Sequence, residues 1–307
     1  MKKIRNAIID IGTNTFNLLV FEGDMHILHA EELPVFLGRG GIEKGIIADD
    51  AMERGKNVLR MLVSKAGSLR ANHISVFGTS ALRNAKNGAE LVNFAQQELG
   101  IMISVISGNE EAELILAGVR QAVAFTRKPM LIMDIGGGSI EFILATDKAL
   151  MWKRSFELGV TRLRDRIPVS DPITLSEEER IAQHLDDQLD PLYAIIERHE
   201  PHVLIGSAGS FDSLASIISS ERHEPLLNDA KTMNFSAMEF DALRDKLMRM
   251  TRTERLNVPG LPEHRVDTLP YALIAIDRVL TAGAIRELAW SKYALKEGAA
   301  SRMISTV

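Results

Sequence analysis

The sequence predicts an α/β protein made of two related domains that face each other across a phosphate-holding cleft. Three observations carry that expectation: a duplicated turn of acid and glycine, apolar runs of strand length beside both copies, and helical patterns alternating with strands. The first turn lies in Asp10–Val20, DIGTNTFNLLV, and the second in Asp134–Leu144, DIGGGSIEFIL. Each follows a short apolar run (Ala7-Ile8-Ile9; Leu131-Ile132-Met133), and aligned without gaps both read Asp-Ile-Gly.

The residue types suit an anion. Glycine adopts backbone conformations closed to other residues, so successive N–H groups of Gly12, Gly136, Gly137 and Gly138 can converge on phosphate oxygens. Thr13, Asn14, Thr15 and Ser139 add side-chain donors. Asp10 and Asp134 cannot serve a phosphate directly, because like charges repel; they fit carboxylates that hold a hydrated Mg²⁺ bridging to phosphate. Dinucleotide-binding and P-loop turns run straight into a helix. Here Phe16–Val20 and Ile140–Leu144 follow, rich in β-branched and aromatic residues, which predicts strand–turn–strand. Two plain hairpin turns are the bland alternative.

The remaining elements follow in order. Residues 4–35 read as three strands, and Gly38-Arg39-Gly40-Gly41 as a polar link. A helix is expected over 49–69, with Met52, Leu59, Leu62, Val63, Ala66 and Leu69 on one face and Asp49 as its cap. A strand at 73–77, a helix at 89–99, a strand at 101–106 and a helix at 109–125 complete the first half. Thr126-Arg127-Lys128-Pro129 breaks the pattern, so the domains are placed at 1–125 and 126–307, with the last helix able to pack back on the first. Strands at 130–135, 140–146 and 149–157 repeat the opening order. Helices at 176–200 and 210–219 flank a strand at 203–205, and the chain after Ser236 reads as mainly helical apart from a strand at 287–291.

Composition narrows the class. The 307 residues are 46% hydrophobic and 25% charged, with net charge −5 and no cysteine. Such a chain has no disulfide framework and no thiolate metal site. No apolar run reaches membrane-spanning length and no signal peptide is visible at the start, so a cytoplasmic protein with no membrane partner is expected. Mild acidity without a basic run argues against nucleic acid. The eight histidines show no metal-ligand spacing.

The chain resembles the exopolyphosphatase/guanosine pentaphosphate phosphohydrolase (Ppx/GppA) family of the sugar kinase–Hsp70–actin superfamily. The resemblance rests on DIGTNTFNLLV from Asp10, GTSALRNAKN from Gly78, ISGNEEAELI from Ile106, DIGGGSIEF from Asp134, GSAGS from Gly206, PGLPEHR from Pro259 and ALKEG from Ala294. It implies two actin-like (ribonuclease H-like) domains, an interdomain active site, and Mg²⁺-dependent hydrolysis of terminal phosphoanhydride bonds. Larger members carry further C-terminal domains; this chain resembles the short, two-domain form. A homodimer is expected by analogy alone.

The resemblance also implies roles. Ser107 and Glu110 form an S-x-x-E capping box on residue types alone. Glu111 is surplus to that box, and in the family the second glutamate of this motif is the general base that activates water. A solvated helix-end glutamate is the alternative. Arg83 stands where the family places a phosphate-binding arginine, and Glu141 where it carries an acid of the metal–water network. Gly206, Ser207 and Gly209 open a helix and could receive another phosphate, although a plain strand-to-helix turn explains them nearly as well. Three residues depart from the family pattern: Asn17 replaces a basic residue or His, Tyr271 a glycine, and Lys296 an arginine.

Inorganic polyphosphate is therefore the expected substrate, with guanosine pentaphosphate as the close alternative. A kinase or ATPase of the same superfamily would need an acceptor site. A non-catalytic sensor would have little use for Glu111.

Overall fold

A computed structural model describes residues 4–227 and 229–305. Strand β1 (Arg5–Ile11) turns into β2 (Thr15–Glu22) and β3 (His26–Pro34), an antiparallel meander in which Asp10 stands opposite Asn17. Helix α1 (Asp49–Ser68) buries Met52, Leu59, Leu62 and Ala66 at helical spacing. Its N-cap is Ala48, which makes no side-chain cap bond. Asp49 is instead the first helical residue, where its charge complements the helix dipole.

Strand β4 (His73–Gly78) runs parallel to β1, and the short α2 (Ser80–Asn84) and α3 (Gly88–Leu99) follow. Strand β5 (Ile103–Val105) is shorter than the 101–106 expected, because as an edge strand it pairs with Val76–Gly78 and no further. Helix α4 (Gly108–Val119) also stops short of the expected 125. Gly118 and Leu116 carbonyls take the amides of Gln121 and Arg120, tightening the last turn, while Val123 belongs to the next unit.

The second unit opens with β6 (Met130–Ile135), β7 (Ile140–Ala145) and β8 (Leu150–Phe156), again a meander. Helices α5 (Val160–Arg166) and α6 (Leu175–His199), strand β9 (Val203–Ser207) and helix α7 (Ala208–Glu221) come next. Strand β10 (Thr232–Ser236), helices α8 (Ala237–Arg249), α9 (Arg252–Arg255) and α10 (Leu269–Gly283), strand β11 (Glu287–Ser291) and helix α11 (Leu295–Ser305) end the description. Sequence reading missed α2, α5 and β10. The two helices are too short to show a 3.6-residue period, and β10 is an exposed edge strand with one fully buried residue, Phe235.

The first sheet has the order β3-β2-β1-β4-β5 and the second β8-β7-β6-β9-β11-β10, so the second repeats the first and adds one edge strand. Each unit has its own apolar core. Ile9, Ile11, Phe16, Leu18, Leu59 and Leu91 lie in one; Met133, Phe142, Leu185, Phe211, Leu214 and Ile274 lie in the other. Every residue of β6 and β7 is buried, which accounts for their nearly continuous apolar runs.

The chain changes unit between Gln121 and Ala122, four residues before the expected boundary, and the described residues from Ala294 onward belong to the first unit. There α11 crosses α4 at Gly118 and Gly298, where a Cβ would lie 1.9 Å from the Ala294 carbonyl oxygen and 1.8 Å from that of Leu114 respectively. Tyr271, in place of the family's glycine, fills the second core and donates its hydroxyl to the Ile167 carbonyl at 2.8 Å. Burial pushes that phenol up to about 12, so it stays a neutral donor.

Candidate active site

Both glycine turns close with the same hydrogen bond: Gly12 N–H to the Thr15 carbonyl and Gly136 N–H to the Ser139 carbonyl, each at 3.0 Å. A Cβ on Gly12 would stand 2.7 Å from the Thr15 oxygen, so the first turn requires glycine there. Residues after β3 tie this turn down. Val35 and Phe36 amides donate to the Asn14 carbonyl at 2.8 Å, and Gly38 N–H donates to Thr13 at 3.1 Å. Gly38 approaches so closely that a Cβ would meet the Thr13 methyl at 2.5 Å. Sequence reading placed Gly38 in a polar link; its packing role shows only in the fold.

The second turn is held from its carbonyl side. The amides of Gly159, Val160, Thr161 and Arg162 donate to the carbonyls of Gly136, Gly137 and Gly138, and the Arg162 side chain adds a bond to Gly138 at 3.1 Å. Because the start of α5 occupies those carbonyls, the turn is fixed by a helix that sequence reading did not foresee.

In the first unit Arg83, on α2, donates to Glu111 Oε2 at 2.9 Å and to the Ile106 carbonyl at 3.0 Å. Glu111 is 7% exposed, in the first turns of α4. Ser107 and Glu110 form the expected reciprocal capping box, and bonds from the Ser107 amide and hydroxyl hold the Glu110 carboxyl below its ordinary range. Adjacent glutamates thus have separate work: Glu110 caps the helix, while Glu111 is drawn inward beside a guanidinium. On β1, Asp10 Oδ2 accepts from Asn17 Nδ2 at 3.2 Å, and its Oδ1 atom is buried without a hydrogen bond. The departure at residue 17 therefore supplies a neutral donor to the acid opposite.

In the second unit Asp134 and Glu141 are register partners on β6 and β7, 7% and 1% exposed. Ser207 Oγ donates to Asp134 Oδ2 at 2.5 Å, and Ser155 Oγ to Glu141 Oε1 at 2.6 Å. Among the described residues no group of three or more His, Asp or Glu side chains is arranged to hold a metal. Asp10 belongs to the first unit, and in the second unit Asp134 and Glu141 form a pair of neighbouring acids. That pair still suits Mg²⁺, which keeps most of its water and is ordinarily bound by one or two carboxylates plus substrate oxygens.

The GSAGS turn is shaped by packing. A Cβ on Gly206 would fall 1.9 Å from the Phe211 ring, and one on Gly209 would fall 1.2 Å from Arg265 Nη1. Ser207 gives its hydroxyl to Asp134. The sequence suggests Gly206, Ser207 and Gly209 as phosphate ligands or a plain turn, and it gives no sign of Arg265 over Gly209, of Ser155 or of Arg162. Arg265 lay in a quoted motif, PGLPEHR, but nothing in the sequence places its guanidinium against Gly209.

Two sheets of one strand order, each led by an acid-bearing glycine hairpin, define a duplicated α/β protein. The chain belongs to the Ppx/GppA phosphatase family, whose model matches residues 19–306. An exopolyphosphatase from Cytophaga hutchinsonii is 37% identical, with a TM-score of 0.95 over 99% of this chain and 98% of its own. A Haemophilus influenzae relative, provisionally named an exopolyphosphatase, is 26% identical over 95% of this chain and 89% of its own. The Aquifex aeolicus member of the Ppx/GppA family, at 19% identity and a TM-score of 0.82 over 99% of this chain and 98% of its own, shares the fold. Among the described residues no helix is long and apolar enough to cross a membrane.

Proposed function

We propose that this protein is an exopolyphosphatase that releases the terminal phosphate of inorganic polyphosphate with water as acceptor. The observation that carries the reading is the Arg83–Glu111 pair: a buried carboxylate and a guanidinium at 2.9 Å, on the motifs where a base and a phosphate ligand are expected. The 37% identity to the Cytophaga hutchinsonii exopolyphosphatase supports polyphosphate over guanosine pentaphosphate.

Glu111 takes a proton from water as its oxygen attacks the terminal phosphorus in line, and the bridging anhydride oxygen leaves with the bonding electron pair. Arg83 offers two-pronged donation to phosphate oxygens and offsets charge as it develops. The amides of the two glycine turns, with Thr13, Thr15 and Ser139, grip the phosphates. Asp10 beside the first turn, and Asp134 with Glu141 beside the second, are the carboxylates that would hold Mg²⁺, which when bound neutralises phosphate charge.

The test is phosphate release from short polyphosphate, long polyphosphate and guanosine pentaphosphate, with and without Mg²⁺, for wild type and Glu111→Gln. Mg²⁺-dependent release from polyphosphate, cut by about 10²–10⁴-fold in the variant with binding retained, is expected. Preferential release from guanosine pentaphosphate would reassign the substrate. Binding of all three without turnover would make the protein a sensor.

A further inference from the structure

Four polar residues stand at one register level on four neighbouring strands of the second sheet: Ser207 on β9, Asp134 on β6, Glu141 on β7 and Ser155 on β8. The two acids are inside and the two hydroxyls outside, and each hydroxyl donates to the acid beside it, at 2.5 and 2.6 Å. The matching row of the first sheet reads Phe77, Asp10, Asn17, Glu32. There an amide faces the aspartate, so the central pair holds one acid. In the second sheet it holds two, both buried, and buried polar groups demand hydrogen-bond partners.

The Ser207 hydroxyl is given to Asp134 and not to its own helix. Ser207 is the N-cap residue of α7, yet it makes no capping bond. The other serines at this position, Ser107 on α4 and Ser236 on α8, both cap their helices, while among the threonines Thr174 and Thr251 cap and Thr79 and Thr268 do not. Ser207 forgoes a capping bond in favour of Asp134.

We propose that Ser207 and Ser155 are positioning residues that orient the Asp134–Glu141 pair toward a divalent cation. Each hydroxyl takes one oxygen of its acid by a short, charge-assisted bond, which fixes the carboxylate's rotamer and directs its other oxygen. This rests on the reading of the acid pair as a cation site given above.

Ser155 permits a nearly isosteric test, since threonine and valine differ by the hydroxyl and both suit a strand. Mn²⁺ binding is titrated by calorimetry for wild type, Ser155→Thr, Ser155→Val and Ser207→Ala, alongside kcat and KM for polyphosphate at rising metal concentration. Valine at 155 and alanine at 207 should weaken Mn²⁺ binding about 10–100-fold, with kcat recovered at high metal, whereas threonine stays within about twofold of wild type on the same constant. Equal Mn²⁺ affinity for Thr and Val, or no Mn²⁺ binding by wild type, would overturn the proposal. If Ser207→Ala does not fold, the Ser155 pair decides alone. A wild type that releases no phosphate yet shows the Thr/Val difference would sink the exopolyphosphatase reading and leave this one standing; phosphate release without that difference would do the reverse.

Discussion

Arg83 and Glu111 neutralise each other at 2.9 Å while their side chains are 18% and 9% exposed. Neither charge can be deleted without leaving the other in a poorly hydrated place. A buried pair loses about 3–5 kcal/mol when one partner is removed, and less where water still reaches one side. Arg83→Gln is expected to cost about 2–3 kcal/mol in urea unfolding. Adding Glu111→Gln to it should restore stability rather than lower it further. Additive losses in the double variant would show that the two side chains are not energetically coupled.

The second glycine turn rests on Gly159, whose place beside it no sequence pattern announces. A Cβ there would lie 2.4 Å from both the Gly137 carbonyl carbon and the Gly138 nitrogen. Gly159→Ala must displace the turn, and a shift of about 1 Å in a positioning element can cost about 10²-fold in rate. Phosphate release should fall by that order while the far-UV circular dichroism spectrum stays unchanged. Wild-type kinetics in this variant would mean that the turn does not need its observed geometry.

The parts legible in sequence are those that local chemistry decides. Asp10 and Asp134 announce their turns because the small residues after them, and the branched and aromatic residues beyond, leave strand–turn–strand as the economical reading. Ser107-x-x-Glu110 announces its capping box for the same reason. What sequence could not show depends on register between distant strands. Ser155 looks like an ordinary serine, and Ser207 like a turn residue open to phosphate, until the sheet sets them beside Glu141 and Asp134. Asp49 misled because a good capping residue lay one position too late. The short α5 escaped because VTRLRDR spans barely two turns, too few to establish a period.

Glu177 offers a test of pH dependence away from the site. Its carboxylate accepts from the hydroxyl and amide of Ser170 and from the amide and hydroxyl of Thr174. These bonds, the Ser170 hydroxyl first, favour the charged form and lower its pKa from 4.5 to about 2. A depressed folded value contributes stability that is present above the unfolded value and lost as pH falls through the folded one. The melting-temperature gap between wild type and Glu177→Gln should therefore be open at neutral pH, narrow below 4.5 and vanish near 2. A gap of constant size across that window would assign Glu177 a packing role instead of a charged one.

Three glycines in helices make the last prediction, because one substitution should have opposite signs at different positions. Gly118 on α4 and Gly298 on α11 meet where the two helices cross, and a Cβ on either would strike backbone of the other helix, at 1.9 and 1.8 Å. Backbone cannot rotate away as a side chain can, so the helices must separate and the packing around Leu114 and Ala294 must open. Overpacking of this kind costs about 1–3 kcal/mol, and more where backbone is the obstacle. Gly67 lies near the end of α1 with nothing within 4 Å of an added Cβ. There alanine removes unfolded-chain freedom at no steric cost, which stabilises by about 0.4–1 kcal/mol. Thermal melts should show Gly118→Ala and Gly298→Ala well below wild type and Gly67→Ala slightly above it. If Gly298→Ala melted with wild type, the close crossing of α4 and α11 would not be the packing that holds the C-terminal helix to the first unit.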